Sequence, residues 1–223
     1  MSAGADRKAQ LLDAVRAEPS PTRADVVRRE RVWSLGASCL TALLFVLAGG
    51  MRVGSRPPML VASSAGAWGG IAVVATVMAL RRGRSMLGAP GSWLLAGTIA
   101  VPLLLAVAWF ALPWVSLGAP ATRGYSIDAA CFAVTVALSA PLVLAFFVRR
   151  QDGDPLQPSV TGAALGAAAG AWGAVLIDLH CETVDPRHVV LGHLLPVVTL
   201  AFVGALIARS SLAIHAKRRD TEA

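Results

Sequence analysis

Charge is scarce in this chain. Of its 223 residues only 15% are Asp, Glu, Lys or Arg, against about 25% in an average soluble protein. A soluble domain of this length needs more polar surface than that to cover its core, so a water-soluble globule is excluded. Acidic residues number 13 and basic ones 20, a formal charge of +7, but the charges are bunched between long apolar runs, which excludes a basic nucleic-acid-binding globule. Cysteine is limited to three residues with no CxxC pair, too few for a disulfide scaffold and too scattered for a structural zinc module. Catalytic signatures are missing as well: there is no HExxH, no GxSxG and no Asp pair at the centre of an apolar run. Intramembrane protease chemistry therefore has no carrier, and the chain reads as a non-enzyme. No cleavable signal peptide is legible, because the first 31 residues are polar and charged and the first apolar run is itself long enough to span.

What the chain has is six apolar runs of about 20 residues, the length that crosses roughly 30 Å of hydrocarbon as a helix. They lie near residues 32–51, 58–80, 93–115, 126–148, 160–179 and 189–208. No run alternates with period two, so barrel strands are excluded, and lipid cannot satisfy the edges of an open sheet. The fold class is all-α: a polytopic membrane protein with six transmembrane helices (32–208), a short cytoplasmic helical segment before them (1–31) and a basic tail after them (209–223). Orientation follows from Lys and Arg. Sixteen fall in the N-terminal segment, the second and fourth loops and the tail, and four (Arg52, Arg56, Arg123 and Arg187) on the other side. By the positive-inside rule both termini are cytoplasmic.

The loops are too short for an extramembrane domain, which leaves the N-terminal segment as the sizeable soluble part. Residues 6–17 predict a short amphipathic helix with Leu11, Leu12 and Val15 on one face and charges such as Arg16 on the other. Pro19 and Pro21 break it. A second polar helix over 22–31, with Val26 and Val27 as its apolar patch, is expected to run into the first span. Such a hinged pair of helices grips a partner or lies on anionic headgroups, but it cannot enclose a substrate.

In the fifth span Gly162, Gly166 and Gly170 stand four apart and form a smooth face that another helix backbone can approach closely, within the chain or in a homodimer. Gly66 and Gly70 repeat the spacing in the second span, where the same packing is expected. Pro102, Pro141 and Pro196 fall inside the third, fourth and sixth spans, where kinks suit a bundle with more than one packing.

The non-cytoplasmic ends of the last three spans are chemically richer. Asp128 and Cys131 lie in the fourth, Asp178, His180, Cys181 and Glu182 where the fifth emerges, then Asp185, His188 and His193. Thiol, imidazole and carboxylate in one small region suit a soft or borderline metal, with His180, Cys181, Glu182 and His188 as candidate ligands. Two of the thiols can alternatively pair as a disulfide. No resident cofactor is expected beyond a transient metal ion. Cys39, in the first span, reads as a buried small hydrophobe. Apart from Asp128 and Asp178 near one interface, no Asp, Glu, Lys or Arg falls inside a span, whereas ion-coupled pumps place such groups near the midplane. A small-solute or metal-ion transporter lined by the kinked spans is the alternative reading, and a thiol-redox enzyme pairing Cys131 with Cys181 a third.

From Asp154-Pro155 and Pro158, through Thr161-Gly162, Gly166, Ala169-Gly170-Ala171 and Gly173, to Leu179-His180-Cys181-Glu182 and His193, the chain resembles the six-span membrane anti-sigma factors typified by the negative regulator of sigma F. Its topology is also similar to that of related anti-sigma factors of myxobacterial light and stress responses. The resemblance implies a bacterial inner-membrane protein that holds an extracytoplasmic-function sigma factor through cytoplasmic segments and releases it under metal, oxidative or light stress. Its partners would be the sigma factor and the lipid bilayer, with no direct nucleic-acid contact. On this reading Leu11, Leu12, Val15 and Arg16 bind sigma, while Cys131, His180, Cys181 and His193 sense the stimulus. The family's His-Cys pair carries over onto His180 and Cys181, and Glu182 stands where the family commonly has Pro.

Overall fold

The computed structural model of the protein describes residues 23–52, 56–80, 91–111, 125–150, 157–183 and 185–222. The segment carrying Leu11, Leu12, Val15 and Arg16 lies outside the described residues. Every described element is helical: α1 (Arg23–Leu47), α2 (Pro58–Leu80), α3 (Gly91–Phe110), α4 (Tyr125–Arg150), α5 (Pro158–His180), α6 (Pro186–Val189), a π-helical turn (Val190–Leu194) and α7 (Leu195–Glu222). Six of the resulting stretches are long and apolar enough to cross a membrane, the sixth running from Pro186 to Ser210 through α6, the π turn and the start of α7. The all-helical, six-span reading therefore holds. The polar stretch 23–31 joins the first span as one unbroken helix, as expected.

The bundle is organised around α5. Nearly every residue from Thr161 to Asp178 is buried, and α2, α3, α4 and α7 all pack against this helix. Small side chains are what allow it: the Gly- and Ala-rich stretch presents a thin cylinder, and bulky side chains such as Trp68 on α2, Leu105 and Trp109 on α3 and Val197 on α7 fill the space around it, all essentially inaccessible. The described part of the bundle is thus closely packed along α5.

The glycine face of α5 is filled within the chain. A Cβ at Gly162 would overlap the Gly204 carbonyl, one at Gly166 the Leu200 carbonyl, and one at Gly170 would come within 2.9 Å of the Val197 Cα, all on α7. The same spacing on α2 behaves differently, because a Cβ at Gly66, Gly69 or Gly70 meets nothing within 4 Å. The expectation that packing accounts for Gly66 and Gly70 is corrected: this face of α2 has no neighbour among the described residues.

Helix α1 is peripheral. Its principal neighbour is α4, met along a narrow seam in which only Ala37 and Thr41 are buried, and Thr41 Oγ1 donates to the Leu138 carbonyl at 3.3 Å. At the end nearer the N-terminus Arg149 Nε pairs with Glu30 at 3.6 Å. Cys39 lies off this seam and is exposed. This corrects the expectation of a buried small hydrophobe: a helix that packs along one stripe leaves most of its circumference to lipid.

The sixth span departs from α-helical geometry for a local reason. Pro196 has no N–H to give the carbonyl four residues earlier, and its ring crowds that carbonyl. The chain widens into the π turn just before it. The carbonyl set free, that of Gly192, accepts from Thr135 Oγ1 at 3.0 Å, which ties the turn to α4.

Candidate metal and thiol site

The π turn, the start of α4 and the end of α5 meet at the end of the bundle away from the N-terminus, here called the distal end. Cys131 is in the second turn of α4. Cys181 caps the C-terminus of α5, its N–H donating to the Ile177 carbonyl at 2.7 Å. His188 is on α6 and His193 in the π turn. A close approach at Gly192 makes the junction possible, since a Cβ there would stand 3.0 Å from the Cys131 Cβ.

One ligand atom from each of Cys131, Cys181, His188 and His193 lies within 4.8 Å of all the others. Cys181 Sγ is 3.2 Å from His188 Nε2 and 4.0 Å from Cys131 Sγ. A tetrahedron built with metal bonds of about 2.0 Å to nitrogen and 2.3 Å to sulfur has edges of roughly 3.3–3.8 Å. The cluster fits that tetrahedron with small adjustments.

Three further observations point to a cation. His193 is 1% exposed, and neither of its ring nitrogens has a hydrogen-bond partner. Orphaned polar atoms at such depth are costly, and a ligated metal would satisfy one of them. His188, 2% exposed, is held from behind: its Nδ1 is 2.7 Å from Asp128 Oδ1, which leaves Nε2 aimed at Cys181. A carboxylate behind an imidazole is the usual support of a metal-binding histidine, because it fixes the tautomer and raises the basicity of the other nitrogen. Finally, a hydrogen bond from the Cys131 thiol, opposed by burial and helped by His188, holds the Cys181 thiol below the usual thiol range. A thiolate is the form that binds metal. Two thiolates and two neutral imidazoles around a divalent ion sum to zero charge, as a buried site requires. The donor set selects soft and borderline ions such as zinc, cadmium or cuprous copper.

The site keeps two of the four residues expected from sequence as metal ligands and leaves two out. Cys181 and His188 belong to it. His180 turns the other way, its Nδ1–H donating to the Gly50 carbonyl at 2.8 Å, and Glu182 is exposed. Of the four sensing residues, Cys131, Cys181 and His193 are brought together and His180 is not. The supporting groups were missed at the sequence level. Asp128, buried at 7% exposure, also takes Arg187 Nη2 at 3.1 Å, and Asp185 caps α6 by accepting from the Arg187 N–H at 3.2 Å. A signal existed: a carboxylate one turn before a cysteine in an otherwise apolar span must be paired. Asp128→Asn is accordingly expected to weaken cadmium binding by about 10- to 100-fold without unfolding the protein, as measured by competition with a chromophoric chelator. Unchanged affinity would show that His188 needs no carboxylate behind it.

Comparison with known proteins agrees with this architecture. No curated protein and no solved structure matches the chain. The family described as negative regulator of sigma F matches residues 14–213. That span takes in all six apolar helices and all four residues of the distal cluster, and the chain belongs to the family of negative regulators of sigma F.

Proposed function

We propose that this protein is a membrane-anchored anti-sigma factor that holds an extracytoplasmic-function sigma factor at the bacterial inner membrane and releases it when a soft metal ion occupies the distal Cys-His cluster. The family supports negative regulation of a sigma factor. The concentration of Lys and Arg at the N-terminal side supports an orientation with both termini in the cytoplasm and the cluster facing outward. The metal part rests on one observation: two thiols and two imidazoles converge in a largely buried cluster where neither ring nitrogen of His193 has a hydrogen-bond partner.

The grip on sigma is assigned to residues 1–31, with Leu11, Leu12 and Val15 as the buried anchor and Arg16 and its neighbours steering association. The loops are too short to bury the roughly 1,000 Å² that a specific complex needs. Leu11→Asp combined with Leu12→Asp in the full-length protein is expected to abolish co-purification of the sigma factor from detergent-solubilised membranes. Undiminished recovery would place the grip elsewhere. In the wild type, added cadmium should elute sigma from the immobilised protein.

A second reading is favoured by the 4.0 Å between the Cys131 and Cys181 sulfurs. A peroxide can oxidise the pair: the Cys181 thiolate attacks one peroxide oxygen, the Cys131 thiol displaces the resulting sulfenic acid's oxygen as water, and one disulfide and two waters result in total. Elution by peroxide but not by cadmium would favour this trigger over the metal.

A further inference from the structure

The three residues immediately before Cys181 are all engaged with the connection that follows α1. Asp178, 1% exposed, pairs through Oδ1 with Arg56 Nη1 at 3.1 Å, and Arg56 is itself 7% exposed. A second Arg56 nitrogen donates to the Asp178 carbonyl, and Ser64 Oγ on α2 donates to Asp178 Oδ2 at 2.7 Å. The Leu179 carbonyl accepts from the Arg52 N–H at 3.1 Å. His180 Nδ1–H donates to the Gly50 carbonyl at 2.8 Å. Gly49 turns the chain toward this contact at φ +107°, a conformation that L side chains rarely adopt, and a Cβ there would stand 3.3 Å from His180 Cε1. A buried ion pair is a poor source of stability, because desolvation offsets its attraction, but it holds a single geometry.

Resting on the metal reading above, we infer that this latch of Gly50, Arg52 and Arg56 on Asp178–His180 couples occupancy of the cluster to α1, the helix that leads into the N-terminal segment. Cys181 directly follows His180 and its backbone is hydrogen-bonded into the last turn of α5, so a displacement of that backbone carries Asp178, Leu179 and His180 with it. Cys131 stands on α4, the other anchor of α1 through Thr41 and Glu30. An ion held by both sulfurs, 4.0 Å apart without it, therefore ties the two supports of α1 to each other. Away from these contacts most described residues of α1 are exposed. The latch is a positioning device: none of its residues belongs to the cluster.

Hydrogen exchange of the full-length protein in lipid nanodiscs tests this, read over residues 44–57 with and without cadmium, with the cadmium–thiolate absorption titrated on the same samples. Two variants are compared with the wild type: Arg56→Gln combined with Asp178→Asn, which neutralises both members of the buried ion pair, and His180→Gln, which removes a single hydrogen bond. Cadmium should change exchange at Arg52 several-fold in the wild type. In at least one variant that change should shrink, with cadmium-driven release of sigma, while the thiolate absorption titrates as before. Normal thiolate absorption with no exchange change in the wild type, or with the full change retained in both variants, overturns the coupling and leaves the metal site standing. Absence of the thiolate absorption in the wild type overturns the metal reading and the coupling with it.

Discussion

Cadmium titrated into the purified full-length protein is expected to raise a thiolate-to-metal absorption near the ultraviolet edge, and Cys181→Ser is expected to abolish it together with the cadmium-dependent loss of sigma. Cys181 has the largest effect of the cluster for a geometric reason. Its sulfur contacts both the Cys131 thiol and His188 Nε2, so its removal takes away one ligand and uncouples two others. A serine hydroxyl is a hard, neutral donor, unsuited to a soft ion, and leaves the charge of a divalent cation uncompensated in a buried site. Cys131→Ser should weaken binding as well but leave Cys181 and the histidines in register. Cys39→Ser should leave the stoichiometric absorption intact. Because Cys39 is exposed on the periphery of α1, that substitution also removes background labelling by thiol reagents and is the proper starting protein for the series. Normal absorption and normal release in Cys181→Ser would remove the cluster from the mechanism.

Gly166→Leu is expected to be the most damaging substitution outside the cluster, because it changes no chemical group yet forces two backbones apart. The first added carbon would overlap the Leu200 carbonyl and lie 3.1 Å from the Ala201 Cα. Backbone cannot swing aside as a side-chain tip can, so α5 and α7, the most extensively packed helices of the bundle, must separate along their length. Overpacking a core costs about 1–3 kcal/mol even where side chains can adjust, and here the cost should exceed that range. The measurable outcome is loss of membrane-inserted protein and a lowered melting temperature in detergent. Gly66→Leu is the matched control: it stands in the same four-residue spacing, but a Cβ there meets nothing within 4 Å, and abundance should be unchanged. Equal damage at both positions would mean that the close approach to α7 is not what makes Gly166 sensitive, since Leu has the better helix propensity at either site.

These predictions divide according to what a linear chain records. By itself the sequence determined that the protein is all-helical with six spans, because span length and apolar character are local properties that the hydrocarbon thickness reads directly. It also determined the unbroken join of residues 23–31 to the first span and the concentration of Cys, His and Asp at one end of the last three spans. The tertiary structure decided what no periodicity carries. Gly162, Gly166 and Gly170 meet a partner helix while Gly66 and Gly70, at identical spacing, do not, since a small residue permits close approach without specifying who approaches. His193 enters the cluster because Pro196 opens a π turn that swings it toward Cys131, whereas His180, adjacent to Cys181 in the chain, points to Gly50. Successive residues at a helix end face different directions, so adjacency in sequence is a poor guide to shared ligation. Asp178 looked from sequence like an interfacial acid, and it is buried against Arg56, 122 positions away. A buried charge demands a partner, but only the assembled bundle says which one.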